Sequence, residues 1–112
     1  MVEPVGMRIG IDIGGTKIAA VIFNEKGREQ ARFRADIPRD YSATIKIISE
    51  TISYLENETR PASRIGISMP GFTNGAGETM LLANLPWLQG RTFRNDLERL
   101  LDRPVNIGND AN

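Results

Sequence analysis

The sequence predicts an α/β domain built on a mixed sheet. Three β-rich segments come in succession before any helical pattern, and further strands then alternate with two amphipathic helices. The order is strand, strand, strand, helix, strand, helix, strand. At 112 residues the chain has room for one small core.

From Met7 the run RIGIDI is β-rich, Gly14-Gly15 interrupts it, and KIAAVIF resumes with apolar residues on both faces, as a strand buried on both sides would. Asn24-Glu25-Lys26-Gly27 is a polar turn. The next strand alternates Ala31, Phe33, Ala35 and Ile37 with Gln30, Arg32, Arg34 and Asp36, so one of its faces is wet. Ser42 is the expected N-cap of a helix that buries Ile45, Ile48, Ile52 and Leu55 and ends before Pro61. A strand over residues 64–69 stops at Pro70-Gly71, and residues 78–85 read as extended. Thr92 is the expected cap of a second helix carrying Phe93, Leu97, Leu100 and Leu101, and a final strand from Pro104 ends at Gly108-Asn109-Asp110. Residues 1–6 carry no pattern and are set aside as a leader, leaving one domain over residues 7–112.

Composition narrows the function classes. Hydrophobic residues make up 40% and charged residues 25%, which is globular. Fourteen basic residues balance fourteen acidic ones, so nothing marks a nucleic-acid or anionic-membrane partner. Cysteine and histidine are both absent, which removes disulfides, thiolate nucleophiles, Cys/His zinc sites and Ser-His triads from within these residues. Chemistry here falls to carboxylates. With short apolar runs and no secretory pattern, the expected location is cytoplasmic.

Two segments are candidate sites. In Asp12-Ile13-Gly14-Gly15-Thr16-Lys17, the glycines let the backbone turn sharply and bring N–H groups against an anion, Thr16 and Lys17 offer donors to phosphate, and Asp12 is placed to hold Mg²⁺ directly or through its water. An ordinary hairpin turn explains the same spacing about equally well. Asn109-Asp110-Ala111-Asn112 follows a strand, where open α/β sheets place ligands, so Asp110 is either a general base or the cap of a following helix. Gly71 permits close backbone approach and Asn84 offers donor and acceptor to a hydroxyl, whereas Trp87 reads as packing. Asp36 and Asp40 read as solvated.

With these residues in view, the sequence resembles the N-terminal part of the ROK family of sugar kinases and repressors. The resemblance rests on IGIDIGGTK at 9–17, GISMPG at 66–71, ANLPWLQG at 83–90, FRNDLERLLDRPV at 93–105 and NDAN at 109–112. It implies an actin-like, ribonuclease H-like ATPase domain, one of two that hinge around a cleft. It assigns Asp12, Gly14, Gly15, Thr16 and Lys17 to ATP phosphate, Asp110 to the catalytic base, and Gly71, Asn84, Asn109 and Asp110 to sugar. The implied reaction moves the ATP γ-phosphoryl group to a hexose hydroxyl, usually O6, with Mg²⁺ at the phosphates.

By the same resemblance the adenosine pocket and a structural zinc site belong to a part of the family's chain not represented here, so no zinc is expected in this segment and little activity from it alone. Within the family, PRDYSATI at 38–45 and NLPWLQGRTF at 84–93 are most similar to the fructokinase and N-acetylglucosamine kinase branch, and Trp87-Leu88 and Phe93 lean toward fructokinase. A ROK-type transcriptional regulator and a sugar-binding regulatory protein are the rival readings. Met69, Leu81, Leu82, Leu85 and Trp87 are expected to form an exposed apolar face, and a homodimer through it would follow from the missing half.

Overall fold

The computed structural model describes residues 6–73, 79–81 and 85–109, with backbone alone for 71–73, 79–81 and 109. It is an α/β domain, as the sequence predicts. The strands are β1 (Met7–Ile13), β2 (Lys17–Phe23), β3 (Glu29–Asp36), β4 (Ala62–Met69), β5 (Gly71–Thr73), β6 (Thr79–Leu81) and β7 (Asn106–Asn109). Helices α1 (Tyr41–Glu58) and α2 (Phe93–Leu101) and a 3₁₀ turn at Pro86–Leu88 complete the described elements.

Five strands form one mixed sheet in the order β3-β2-β1-β4-β7. The β1–β2 and β2–β3 pairs are antiparallel because tight turns join them. β1, β4 and β7 are parallel because helices intervene. β5 and β6 pair separately as a small antiparallel ladder, a pairing that the strand order read from the sequence does not include.

Local chemistry sets the connections. Asn24 Oδ1 accepts from the backbone N–H groups of Lys26 and Arg28, each at 2.9 Å, and Gly27 takes φ +77° to bring the chain back into β3. The N-cap of α1 is Asp40, not Ser42: its backbone is extended and its carboxylate accepts from the Ala43 N–H at 2.8 Å. An aspartate two residues ahead of the expected cap captures the free N–H first, which lengthens the helix by its first residues. At α2 Thr92 occupies the cap position but makes no side-chain bond to a helix N–H; its hydroxyl donates to Asp96 instead.

One cluster forms the core. Ile9, Ile11, Ile13, Ile18, Ile22, Ile65 and Ile67 of the sheet are buried against Ile48, Ile52 and Leu55 of α1 and Phe93 and Leu97 of α2. Each such side chain stabilises the fold by about 1.5–3 kcal/mol. Both helices therefore lie on one face of the sheet. This corrects the expectation for β2: Ile18, Ala20 and Ile22 are buried, while Ala19, Val21 and Phe23 on its other side are only half-buried. Leu100, expected in the α2 stripe, is 55% exposed. The expected apolar face is not there either, because Met69 and Leu85 lie in the core and Trp87 is half-buried; Leu82 and the Leu81 side chain lie outside the described residues.

The far end of the domain is clamped by one ion pair. Arg103 donates from both terminal nitrogens to Glu56, 2.8 Å each, and to the Ala62 carbonyl at 3.0 Å, while Glu56 also accepts from the Ala62 N–H. The end of α1, the start of β4 and the α2–β7 link are thereby tied together.

Candidate active site at the carboxyl edge of the parallel strands

β1, β4 and β7 run the same way, so the segments that follow them leave from one edge of the sheet. Gathered there are the Gly14–Lys17 turn after β1, Pro70-Gly71 after β4 and the end of β7 at Asn109. This is the edge where open α/β sheets hold ligands. Asp12 lies opposite Ser68, Ser68 opposite Gly108, and Met69 opposite Asn109. The topology therefore brings together three segments that lie about a hundred residues apart at the extremes.

The turn itself is tight. Gly14 N–H donates to the Lys17 carbonyl at 2.9 Å, and the Thr16 carbonyl accepts from the Ile37 N–H at 2.9 Å, which ties the turn to the exit of β3. Neither Gly14 nor Gly15 has positive φ. The turn thus does not need glycine for its handedness, contrary to the sharp-turn argument from sequence. What glycine gives here is bareness, so that a ligand can approach the backbone. A Cβ at Gly14 would meet the Lys17 carbonyl oxygen at 3.6 Å, an ordinary contact.

Lys17 is paired. Its ammonium group donates to Asp36, its direct neighbour across β2 and β3, and both side chains are largely exposed. The hydrogen bond from Lys17, and then its charge, hold the Asp36 carboxyl below the usual range. Asp36 is therefore not merely solvated, and neither is the capping Asp40. Spacing alone did not carry the signal for Asp36: counting back from the Phe23–Glu29 pair sets residue 35 opposite residue 17, and a register shift between Ile22 and Phe23 brings Asp36 there instead.

Asp12 is exposed on the sheet face away from the helices, and among the described residues no cation pairs with it. No group of three or more His, Cys, Asp or Glu gathers among the described residues. A lone exposed carboxylate beside a glycine turn suits a hydrated Mg²⁺, which keeps most of its waters. Gly71 opens β5 opposite Leu81. Asn84, Asp110 and the side chain of Asn109 lie outside the described residues.

Trp87 is a packing residue, as expected. Its indole N–H donates to the buried Thr44 hydroxyl at 2.9 Å, and the Arg39 guanidinium sits 4.9 Å from its ring centroid. Leu88 and Phe93 are fully buried. Nearby, Tyr41 donates to Asp96 beneath Arg91; burial, and then that hydrogen bond, push its hydroxyl above the usual tyrosine range. Among the described residues no helix is long and apolar enough to cross a membrane.

Comparison with known proteins agrees with this fold. The chain is 39% identical over 107 residues to an N-acetyl-D-glucosamine kinase of Vibrio atlanticus, covering 95% of this chain and 35% of that protein. It is 38% identical to N-acetylgalactosamine kinase AgaK of Shewanella sp., over 94% of this chain and 34% of that one. Among solved structures, a ROK family glucokinase from Streptomyces griseus in complex with glucose and AMPPNP superposes with a TM-score of 0.81 at 31% identity, over 96% of this chain and 34% of its own. The chain thus spans about a third of the length of its relatives. The fold is that of the actin-like ATPase domains of such kinases. With the family's own sequence pattern matched over residues 8–112, the chain belongs to the ROK family.

Proposed function

We propose that this chain is the phosphate-binding N-terminal domain, over residues 7–112, of an ATP-dependent sugar kinase acting on a hexose or N-acetylhexosamine hydroxyl, with O6 as the acceptor. The observation that carries this reading is the convergence of the Gly14–Lys17 turn and the end of β7 on one edge of the sheet. The relatives' names support the substrate class. The features that lean toward fructose are Trp87, Leu88 and Phe93, and all three are engaged in packing. We therefore place N-acetylhexosamines ahead of fructose.

In this mechanism the backbone N–H groups of the bare turn, the Thr16 hydroxyl and the Lys17 ammonium group hold the ATP phosphates. Lys17 exchanges its Asp36 partner for phosphate as the nucleotide arrives. Asp12 would hold Mg²⁺ through its water, and the ion supplies neutralisation of charge on the phosphates. Asn84, Asn109 and the Gly71 backbone orient the sugar. Asp110 accepts the proton of the attacking hydroxyl as its oxygen bonds to the γ-phosphorus and the bond to the β-phosphate oxygen breaks. Catalysis is then mainly positioning and electrostatics. ATP and a free sugar are the partners of this reading, and the cytoplasm its place.

The test joins this chain to the remaining portion of the Vibrio atlanticus relative. Phosphotransfer is then assayed with Mg-ATP and N-acetylglucosamine, N-acetylgalactosamine, N-acetylmannosamine, glucose, mannose and fructose. Turnover of one amino sugar or hexose by the joined protein, with little or none by the 112 residues alone, is the expected result. Sugar binding without any turnover would favour a regulatory protein.

A further inference from the structure

The chain passes from the end of β3 into α1 through residues 36–40, and this short strap holds a turn at each of its ends. Asp36 pairs with Lys17, and the Ile37 N–H donates to the Thr16 carbonyl at 2.9 Å, so the first half grips the Gly14–Lys17 turn. In the second half the Arg39 guanidinium lies 4.9 Å from the ring centroid of Trp87, in the Pro86–Leu88 turn. Pro38 joins the two halves, and its ring fixes the backbone there, so the halves do not move independently.

Thr44 is where the strap and the Pro86–Leu88 turn meet. Its side chain is fully buried in α1. A buried threonine in a helix ordinarily donates to the carbonyl four residues back, as Thr44 does to Asp40 at 2.7 Å and Thr51 does to Ile47 at 2.6 Å. Thr44 does more than this. The Pro38 carbonyl lies 3.1 Å from its hydroxyl, and the same oxygen accepts the indole N–H of Trp87 at 2.9 Å. Valine has nearly the shape of threonine, so what the hydroxyl adds is direction: it fixes Trp87 relative to the strap.

The proposed function puts the ATP phosphates on the Gly14–Lys17 turn and the sugar at Asn84, two residues ahead of Pro86. Phosphoryl transfer needs the attacking oxygen and the phosphorus held in line and nearly in contact, and a misplacement of about 1 Å costs about 10²-fold in rate.

We propose that Thr44 is a positioning residue for the transfer: through the 36–40 strap on one side and Trp87 on the other, it keeps the ATP-phosphate turn and the turn that follows Asn84 at one fixed spacing. The inference rests on the kinase reading. Thr44 is buried away from both substrates and acts through the Ile37–Thr16 bond and the Trp87 indole.

Three substitutions test it. Thr44→Val removes the hydroxyl and keeps the shape, Thr44→Ser keeps the hydroxyl, and Thr51→Val removes a buried hydroxyl that donates within its own helix. Amide hydrogen exchange of Ile37 is followed by NMR in the 112-residue chain, with the Ala62 amide, bonded to Glu56 at the far end of the domain, as reference. In the joined kinase-length protein kcat and the KM for ATP are measured.

In Thr44→Val the Ile37 amide is expected to exchange at least about tenfold faster relative to Ala62, and kcat to fall at least about tenfold with the KM for ATP within about threefold. Thr44→Ser should restore both, and Thr51→Val should change neither. Acceleration of Ile37 and Ala62 together, which marks a general loss of stability, would overturn the proposal. So would a kcat of Thr44→Val within about threefold of the unsubstituted protein, or an equal fall in Thr51→Val. A joined protein that turns over no sugar even without substitution defeats the kinase reading instead, and the exchange ratio then decides by itself whether Thr44 holds the phosphate turn.

Discussion

The indole N–H of Trp87 donates to the hydroxyl of Thr44, 2.9 Å away and fully buried in α1. This bond fastens the 3₁₀ turn at Pro86–Leu88 to the helix that covers the sheet. Trp87→Phe keeps most of the apolar area and loses the bond, while Thr44 still donates to the Asp40 carbonyl at 2.7 Å. The expected cost is about 1–2 kcal/mol, with a coupling of about 1 kcal/mol in a cycle with Thr44→Val. Denaturant melts of the four proteins measure it, and additive effects would count against the bond.

Glu56 makes stability sensitive to acid. Burial pushes its carboxyl up, but hydrogen bonds from Arg103 and the Ala62 N–H together with the Arg103 charge outweigh this, and its folded pKa lies below the ordinary value of 4.5. A lowered folded pKa contributes stability that is present above 4.5 and lost as pH falls through the folded value. Melting temperature should therefore stay level from neutral pH toward 5 and fall below about 4.5. In Glu56→Gln that fall should be shallower, and the variant should be about 1–3 kcal/mol less stable at pH 7 because Arg103 is left half-paired.

The cap of α1 can be assigned by substitution. Asp40→Ala should destabilise the domain by about 1 kcal/mol, and Ser42→Ala by less than about 0.5 kcal/mol. The reverse order in thermal melts would restore Ser42 as the cap.

Bareness at the turn separates folding from phosphate use. Gly14→Ala should leave the melting temperature within a few degrees, since the new methyl group meets only an ordinary 3.6 Å contact. In the joined kinase-length protein the same change should raise KM for ATP at least tenfold by blocking backbone approach. Unaltered KM would mean that the backbone there does not touch nucleotide.

The parts legible in the sequence were those with a period. The β1–β2 hairpin, the alternation of β3 and the stripe of α1 follow from spacing alone. Covering is a property of the whole fold, so a run such as KIAAVIF could not show that Ala19, Val21 and Phe23 lack a cover. β5 and the 3₁₀ turn are short and have no period, so they left too little pattern to place, whereas β6 falls within residues 78–85, which read as extended, and only its pairing with β5 was not legible. At the candidate site the Gly14–Lys17 turn was legible as a motif, but the Lys17–Asp36 pair emerges only once the register is set. Leu100 continued a leucine run yet faces solvent, because α2 buries a narrow stripe centred on Phe93 and Leu97.

We propose that Asp110 takes the proton of the sugar hydroxyl. Its most direct test is the steady-state rate of Asp110→Asn in the joined kinase-length protein on its best sugar, with sugar affinity measured in parallel. The expected result is a fall in kcat of about 10²–10⁴ with sugar affinity changed by only a few fold. A kcat within a few fold of the unsubstituted protein would contradict it and leave Asp110 as a helix cap.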